Sequence, residues 1–591
     1  MLPVVIIGGG PVGLVSSILL SLQQIQHVLC ERHPSTSIHP KACGLNQRTI
    51  EIFRHIGIED EVLRQAAPAN THCRTSWFTS LGPDGREIHS RDAWGGGKYR
   101  PLFEKASPSP YAILPQIRLE PILQRRAREL NPDGLKYSSE VLSIEEKSDR
   151  VIVKVRGPDG VTYETEAQYA LGADGGRMVT DWLGIPWEGE HDIFDMVSAY
   201  FKTPLSLHHP EPRSFISWFI NPATGGSIKS GYLYHLGPYP QTPETEEWYF
   251  GCAMLPDDPE RFDTASMIQR ILETLKIPDL DINLLSTSHW MVASIVAQRF
   301  RSSHGRVFLV GDAAHRIPPW GALGVNTGVQ DAFNLVWKLA FAIRGDHSDV
   351  EALLDSYDAE RRPIAQRVAR SSLFNLKSHA GAMDKALGLS VDQTHAENSA
   401  ALDIALDPTH EGYPQKQELI AQAQAVLDSE FGAHGTEVGW FYLSADTKGE
   451  GQQTNHDGQI KPDGTFDELT YHPSTIPGHR LPHAWLQRGG KTVSTRDLID
   501  PAKFVLFTRT AHLWDWIQGS RVKVEVIDAE HGWTDRDGAW DEVCNSSKQG
   551  AVLVRPDGIV AWRGEDRDST LSALLTQLVG AAEHPGSYRN S

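Results

Sequence analysis

The chain opens on Val4-Val5-Ile6-Ile7 and passes at once into Gly8-Gly9-Gly10-Pro11-Val12-Gly13, an order that leaves few folds open. An unbroken β-branched run suits a parallel strand covered on both faces. The pattern from Val12 to Leu22 then reads as a helix, and His27-Val28-Leu29-Cys30 as a second strand ending at Glu31. This is a βαβ start. Its glycines keep the GxGxxG spacing, in which the first makes a tight turn, the second admits a pyrophosphate and the third lets helix and strand pack closely. Gly8, Gly10, Pro11, Val12 and Gly13 are therefore expected to cradle a dinucleotide, with Glu31 and Arg32 at the ribose. A glycine-rich turn without ligand is the bland alternative, and the frame alone serves NAD as well as FAD.

At 591 residues the chain is long enough for two or three cores. A net charge of -19 opposes phosphate backbones, so nucleic acid is not an expected partner. The five cysteines lie far apart, outside any CxxC or metal-ligand spacing, which fits a reducing compartment without structural metal. The apolar run from Val4 to Leu22 is interrupted by four glycines and a proline and lacks a basic flank. It reads as strand, turn and buried helix rather than a membrane span or signal. A cytoplasmic protein is expected.

Further αβ texture runs from Gln116 to Gly172 and again from Val307 to Ile343, and the stretch between, with Trp218-Phe219 and Trp248-Tyr249-Phe250, is strand-like and aromatic. The expected fold is α/β. A Rossmann-like FAD-binding domain spans 1–180 and 290–375, and a mixed β-sheet substrate domain is inserted over 181–289 with parts of 70–115. A helical connector and linker cover 376–476, its Gly/Asp-rich stretch lying at 446–465, and a C-terminal α/β domain covers 477–591.

Gly311-Asp312-Ala313-Ala314-His315 follows a four-residue apolar strand, which places Asp312 at the strand's C-terminal end, where open α/β sheets bind ligands. A carboxylate there suits a ribityl hydroxyl. Residues 318–327, including Pro319, Gly324, Val325 and Asn326, form a turn of little bulk leading into a helix. That helix's first N–H groups would meet a flavin's pyrimidine edge.

Taken together these residues resemble the class A flavoprotein monooxygenases, the FAD-dependent aromatic hydroxylases. Residues 311–340 (GDAAHRIPPWGALGVNTGVQDAFNLVWKLA) are similar almost letter by letter to that family's second FAD motif. Gly172-Ala173-Asp174-Gly175 looks like its DG motif, and Leu114-Pro115-Gln116 and Glu360-Arg361-Arg362-Pro363 also fit. The wording is most similar to the branch of 2,4-dichlorophenol 6-monooxygenase and phenol 2-monooxygenase. That resemblance extends to the C-terminus, where residues 478–485 and 550–563 look like the branch's thioredoxin-like domain. It implies FAD, NADPH or NADH as cosubstrate, O2, a small phenolic or polyketide-derived aromatic substrate, and a homodimer. It also implies an oxygen transfer by way of a flavin C4a-hydroperoxide, in a pocket kept dry.

Departures narrow what carries over. After Asp174-Gly175 the usual Ser and Arg are missing, Ala322 and Val325 replace a usual Gly and Met, and the C-terminal domain lacks CxxC, pointing to packing rather than redox work. Phenol hydroxylases carry an Asp and a Tyr at the substrate hydroxyl, and letter alignment puts Cys43 and Ser294 there. No catalytic base is assigned. Lys41, Arg48 and Arg118 are candidates to neutralise pyrophosphate, against a surface-charge reading of comparable weight. Trp218, Tyr232, Trp290 and Trp320 are candidates to line the substrate ring, with Phe219 in the lid, and His39, His289 and His315 to handle protons. A Baeyer–Villiger or epoxidising monooxygenase on the same scaffold, and a flavin-binding scaffold without turnover, stay open.

Overall fold

The computed structural model describes residues 1–578 apart from 212, 256–257, 260–261, 444–454, 518–520, 545–549 and 566–567. Leu2–Ile7 is a strand whose Val4, Val5 and Ile6 are wholly buried. It pairs in parallel with His27–Cys30 on one side and with the end of Thr162–Gly172 on the other. Val307–Leu309 adds a further parallel strand beside Ala170 to Gly172. The first half of Thr162–Gly172 instead runs antiparallel to Val151–Arg156, so one long strand serves two kinds of sheet. Helix Pro11–Leu22 starts with Pro at its first position, where no N–H is needed, and buries Leu14, Val15 and Ile18. Helix Gly324–Arg344 packs beside it, approaching so closely that a Cβ on Gly328 would stand 2.7 Å from Val12 Cγ2.

The second sheet has eight strands in the order His315–Arg316, Asn283–Ala297, Trp187–Lys202, Glu247–Ala253, Tyr232–Gly237, Ser214–Phe219, Arg74–Phe78 and Glu87–Asp92. Ser214–Phe219 and Arg74–Phe78 are parallel; the pairings among the others are antiparallel. Because successive side chains point to opposite faces, Phe201, Phe219 and Phe250 pack under helix Thr264–Leu275 with Met267 and Ile271. Trp218, Tyr232, Tyr234 and Tyr249 occupy the other face. Phe219 thus lies on the far side of the sheet from the predicted substrate ring. Sequence alternation did not disclose this, since both faces are covered and both are apolar.

Helix Val350–Ser378 runs 29 residues and ends in a single π-helical stretch, His379–Asp384. Shorter helices follow to Phe431. Of the predicted linker, residues 446–454 lie outside the described residues; beyond them come the short turn His456–Gly458 and a bridge between Ile460 and Phe466. The C-terminal sheet has the order Val522–Val526, Phe504–Thr508, Ala551–Val554, Val560–Gly564, the first two strands parallel and the rest antiparallel, a thioredoxin-like arrangement. Phe504, Trp514 and Trp562 pack in one cluster with Trp337 and Phe341 of helix Gly324–Arg344, which fastens this domain to the first. Among the described residues no helix is long and apolar enough to cross a membrane.

Candidate active site

Four parallel strands deliver their C-terminal ends to one crevice, placing Gly8, Glu31, Ala173 with Asp174, and Gly311 with Asp312 side by side. That is where open α/β sheets bind ligands. The glycines divide the labour as their spacing predicts. A Cβ on Gly8, which has φ +111°, would lie 2.2 Å from the Ala173 carbonyl oxygen, and one on Gly13 would lie 2.1 Å from that of Gly8. Gly10 differs: a Cβ there would meet nothing within 4 Å. The hollow before Gly10 opens at the N-terminus of helix Pro11–Leu22, whose cap position offers no side chain to its free N–H groups. An anionic pyrophosphate suits such a place by both dipole and hydrogen bonding.

Glu31 turns its carboxylate back over this hollow, accepting from Gly9 N at 2.7 Å and from His33 N at 2.8 Å. Asp312 keeps exposed surface although protein closes round it, the signature of a concave position. Burial raises its carboxyl above the ordinary carboxylate range, and His315, Arg316 and Lys41 offset this only in part. Lys41 itself is exposed with φ +50°. Replacing Asp312 by Ala is expected to leave the melting temperature unchanged and to weaken FAD binding by about tenfold, one charge-assisted hydrogen bond. Fluorescence titration with FAD checks this, and an unchanged affinity would remove Asp312 from the site.

Other candidates are engaged elsewhere. Arg48 does not reach the crevice. Its guanidinium is buried, pairs with Glu51 at 3.3 Å and donates to the Asp557 carbonyl at 2.5 Å, tying the first helix after the crevice to the C-terminal domain. The Asn326 side chain is used up as a clip, accepting from Asn46 N (3.0 Å) and Thr49 Oγ1 (2.6 Å) and donating to the carbonyls of Gly44 and Ala322. Only its backbone, with those of Gly324 and Val325, faces the helix start. Asp174 caps its own loop through Gly176 N, Met178 N and Val179 N. Gln116 bonds Glu120, Arg118 holds Glu247 and the Leu236 carbonyl at 2.6 Å each, Arg32 and Pro319 are exposed, and Ala322 adopts φ +55° where glycine is freer.

Opposite the crevice, the second sheet presents an aromatic wall. Tyr234 and Tyr249 stack at 4.5 Å, Trp218 lies 4.9 Å from Tyr232, and Trp320 meets Phe194 edge-on at 6.0 Å. Trp290, half-buried, stands on the same face beside Met196. Tyr234 and Cys43 link wall and crevice, and burial pushes the Cys43 thiol up to about 12, so it stays protonated. Ser294 is spent on the Ala369 carbonyl, 3.1 Å away. His39 bridges Ser286 and Ser198 at the wall's edge. His289 lies on the far face, accepting from Phe262 N, and His315 is sealed against Asp331 at 2.7 Å.

Asp331 anchors the crevice from behind, accepting also from Gly311 N (3.1 Å) and Arg361 Nε (2.8 Å). Burial alone would raise its carboxyl, but Arg361 and His315 hold it below the usual carboxylate range. Glu360 does the same for the domain interface, meeting Lys338 at 2.7 Å and Arg555 at 2.6 Å. These partners were invisible to sequence reasoning, which saw the 360–363 motif without its counterparts.

A hollow for phosphate at convergent strand ends, faced by an apolar aromatic wall, defines an enzyme that sets a dinucleotide cofactor against a flat substrate. Comparison with known proteins makes this specific. The family described as FAD binding domain matches residues 1–372, and that described as aromatic-ring hydroxylase, C-terminal, matches 474–582. 2,4-Dichlorophenol 6-monooxygenase of Delftia acidovorans is 31% identical, covering 95% of this chain and 94% of its own. Phenol 2-monooxygenase of Pseudomonas sp. (strain EST1001) is 32% identical, covering 95% and 90%. The flavin-dependent monooxygenase PieE, solved in complex with FAD and substrate, superposes with TM-score 0.87 at 32% identity over 98% of each chain. The chain belongs to the FAD-dependent aromatic-ring hydroxylases. It is a flavoprotein monooxygenase that hydroxylates an aromatic ring.

Proposed function

We propose that the protein holds FAD in the crevice and hydroxylates a phenolic ring laid against the aromatic wall, with NADH or NADPH as reductant and O2 as oxygen source. The observation that carries this reading is the open hollow before Gly10 in a chain whose second sheet gathers Tyr232, Trp290 and Trp320 into one aromatic cluster. Gly8 to Gly13 take the pyrophosphate, Glu31 the adenosine ribose, Asp312 the ribityl chain, and the N–H groups of residues 324–326 the pyrimidine edge. Glu31 must leave Gly9 N to do so. FAD, when bound, would supply the chemistry that activates O2, the source of the transferred oxygen, with NADH or NADPH as the reductant. The protein's part is to orient the ring and exclude water, which would divert the oxygen to hydrogen peroxide.

Cys43 remains a neutral thiol and Ser294 is engaged, so neither takes the phenolic proton; the ring is activated by its own hydroxyl. Five free cysteines support a reducing, cytoplasmic setting, and a homodimer is the assembly we infer from the family resemblance. The test is direct. Purified yellow protein should consume NAD(P)H and O2 in the presence of a phenol and give a product heavier by one oxygen. Colourless protein that ignores added FAD would sink the reading.

A further inference from the structure

Resting on that reading, the C-terminal domain has a task of its own at the cofactor site. Its strands Ala551–Val554 and Val560–Gly564 are joined by the turn Arg555-Pro556-Asp557-Gly558. Arg555 N donates to the Ile559 carbonyl and Gly558 N to that of Arg555, each at 2.8 Å, and Gly558 takes φ +76°, so the turn is tight. A connection of this kind ordinarily faces solvent. Here Arg555 and Asp557 are only 6% and 2% exposed, because the turn is driven in between other parts of the chain.

The parts it separates are the two helices that begin at the crevice. On Gln47–His55 it meets Arg48, in the first turn, whose guanidinium donates to the Asp557 carbonyl. On Gly324–Arg344 it meets Asn334, whose amide donates to Asp557 Oδ2 at 3.2 Å and to Glu360 Oε2 at 2.8 Å. At their crevice ends the same helices are clipped by Asn326, which accepts from Asn46 N and Thr49 Oγ1 and holds the carbonyls of Gly44 and Ala322. Eight residues separate Asn326 from Asn334, about 12 Å of helix. Clip and turn therefore fix the spacing of one helix pair at two levels. Arg480, also from the C-terminal part, grips the first helix again through Glu51 at 3.3 Å. Docking alone does not require these polar links, since Phe504, Trp514 and Trp562 already pack on Trp337 and Phe341, further along the second helix. A buried polar link is costly to break, so a shift of the turn is passed on to its partners rather than absorbed.

We propose that Asp557 is a positioning residue of the FAD site: through Arg48 and Asn334 it sets the spacing of the two crevice helices, so that the C-terminal domain completes the cofactor site without touching the cofactor. The backbone of residues 324–326 then meets the pyrimidine edge in the right place only while the turn is seated.

The full-length Asp557→Ala variant is compared with Phe504→Leu, which loosens the same domain at the far end of the second helix. Both should release the C-terminal domain at lower urea than the wild type, read by tryptophan fluorescence. In buffer, with the domain still docked, Asp557→Ala is expected to weaken FAD binding about tenfold and to change the visible circular dichroism of the bound flavin at saturating FAD, which reports the geometry of its surroundings. Phe504→Leu should alter neither. Should Asp557→Ala fail to fold, Asn334→Ala cuts the same link from the helix side and carries the test. Wild-type FAD affinity and spectrum in the variant that cuts the link, or an equal loss of affinity in Phe504→Leu, would overturn the proposal. Wild-type protein that takes up no FAD would end the reading on which it rests instead.

Discussion

Gly10→Val is expected to give a folded, colourless protein. A Cβ at this position meets nothing within 4 Å, so in the absence of cofactor the fold is expected to survive. The added side chain fills the volume a pyrophosphate needs against the helix N-terminus. FAD affinity should fall at least ~100-fold, about 2.7 kcal/mol. Gly13→Ala has the opposite character: its new methyl would press on the Gly8 carbonyl from 2.1 Å, so the βα turn itself gives way and the melting temperature drops. The contrast is read by measuring bound FAD per chain and apo-protein melting for both variants. A Gly10→Val protein that retains full flavin would show that the cofactor lies elsewhere.

The second large effect is at the domain interface. Glu360 is 0% exposed in its side chain and faces both Lys338 and Arg555. Removing its charge strands the buried Lys338 and leaves Arg555 with Asp557 as its remaining carboxylate, which should cost about 3–5 kcal/mol, well above the usual effect of a point substitution. In a chain with several cores this appears as early release of the C-terminal domain in urea rather than as a single shifted transition. Trp337, Trp514 and Trp562 lie in the interface cluster and report it by fluorescence.

The effect depends on pH with a definite sign. Burial alone would raise the Glu360 carboxyl, but Arg555 and Lys338 overcome this and hold it far below the ordinary carboxylate range. A folded-state value below the unfolded one, about 4.3, stabilises fully above that pH and is lost as pH falls towards the folded value. The gap between wild type and Glu360→Gln should therefore be widest near neutrality and narrow below about pH 4. A gap that does not change with pH would refute the ionic account.

What the sequence disclosed was what lies within a few residues along the chain. Gly8, Gly10 and Gly13 are legible because steric demands on a strand–turn–helix unit are local, and Asp312 because it ends a recognisable strand. Arg48 fits neither of its sequence readings for the complementary reason: an arginine near a nucleotide fold suggests phosphate or solvent, yet its acceptor is the carbonyl of Asp557, far along the chain. Asn326 has polar partners at Asn46 and Thr49 that only the assembled fold brings near.

The nucleotide sheet begun at Leu2 is not finished until Val307–Leu309 joins it, and Asp331 must then reach back to Gly311. At ordinary rates of translation that wait is about 15–60 s. A nascent polypeptide that has not yet reached Asp331 therefore lacks a complete seat for FAD.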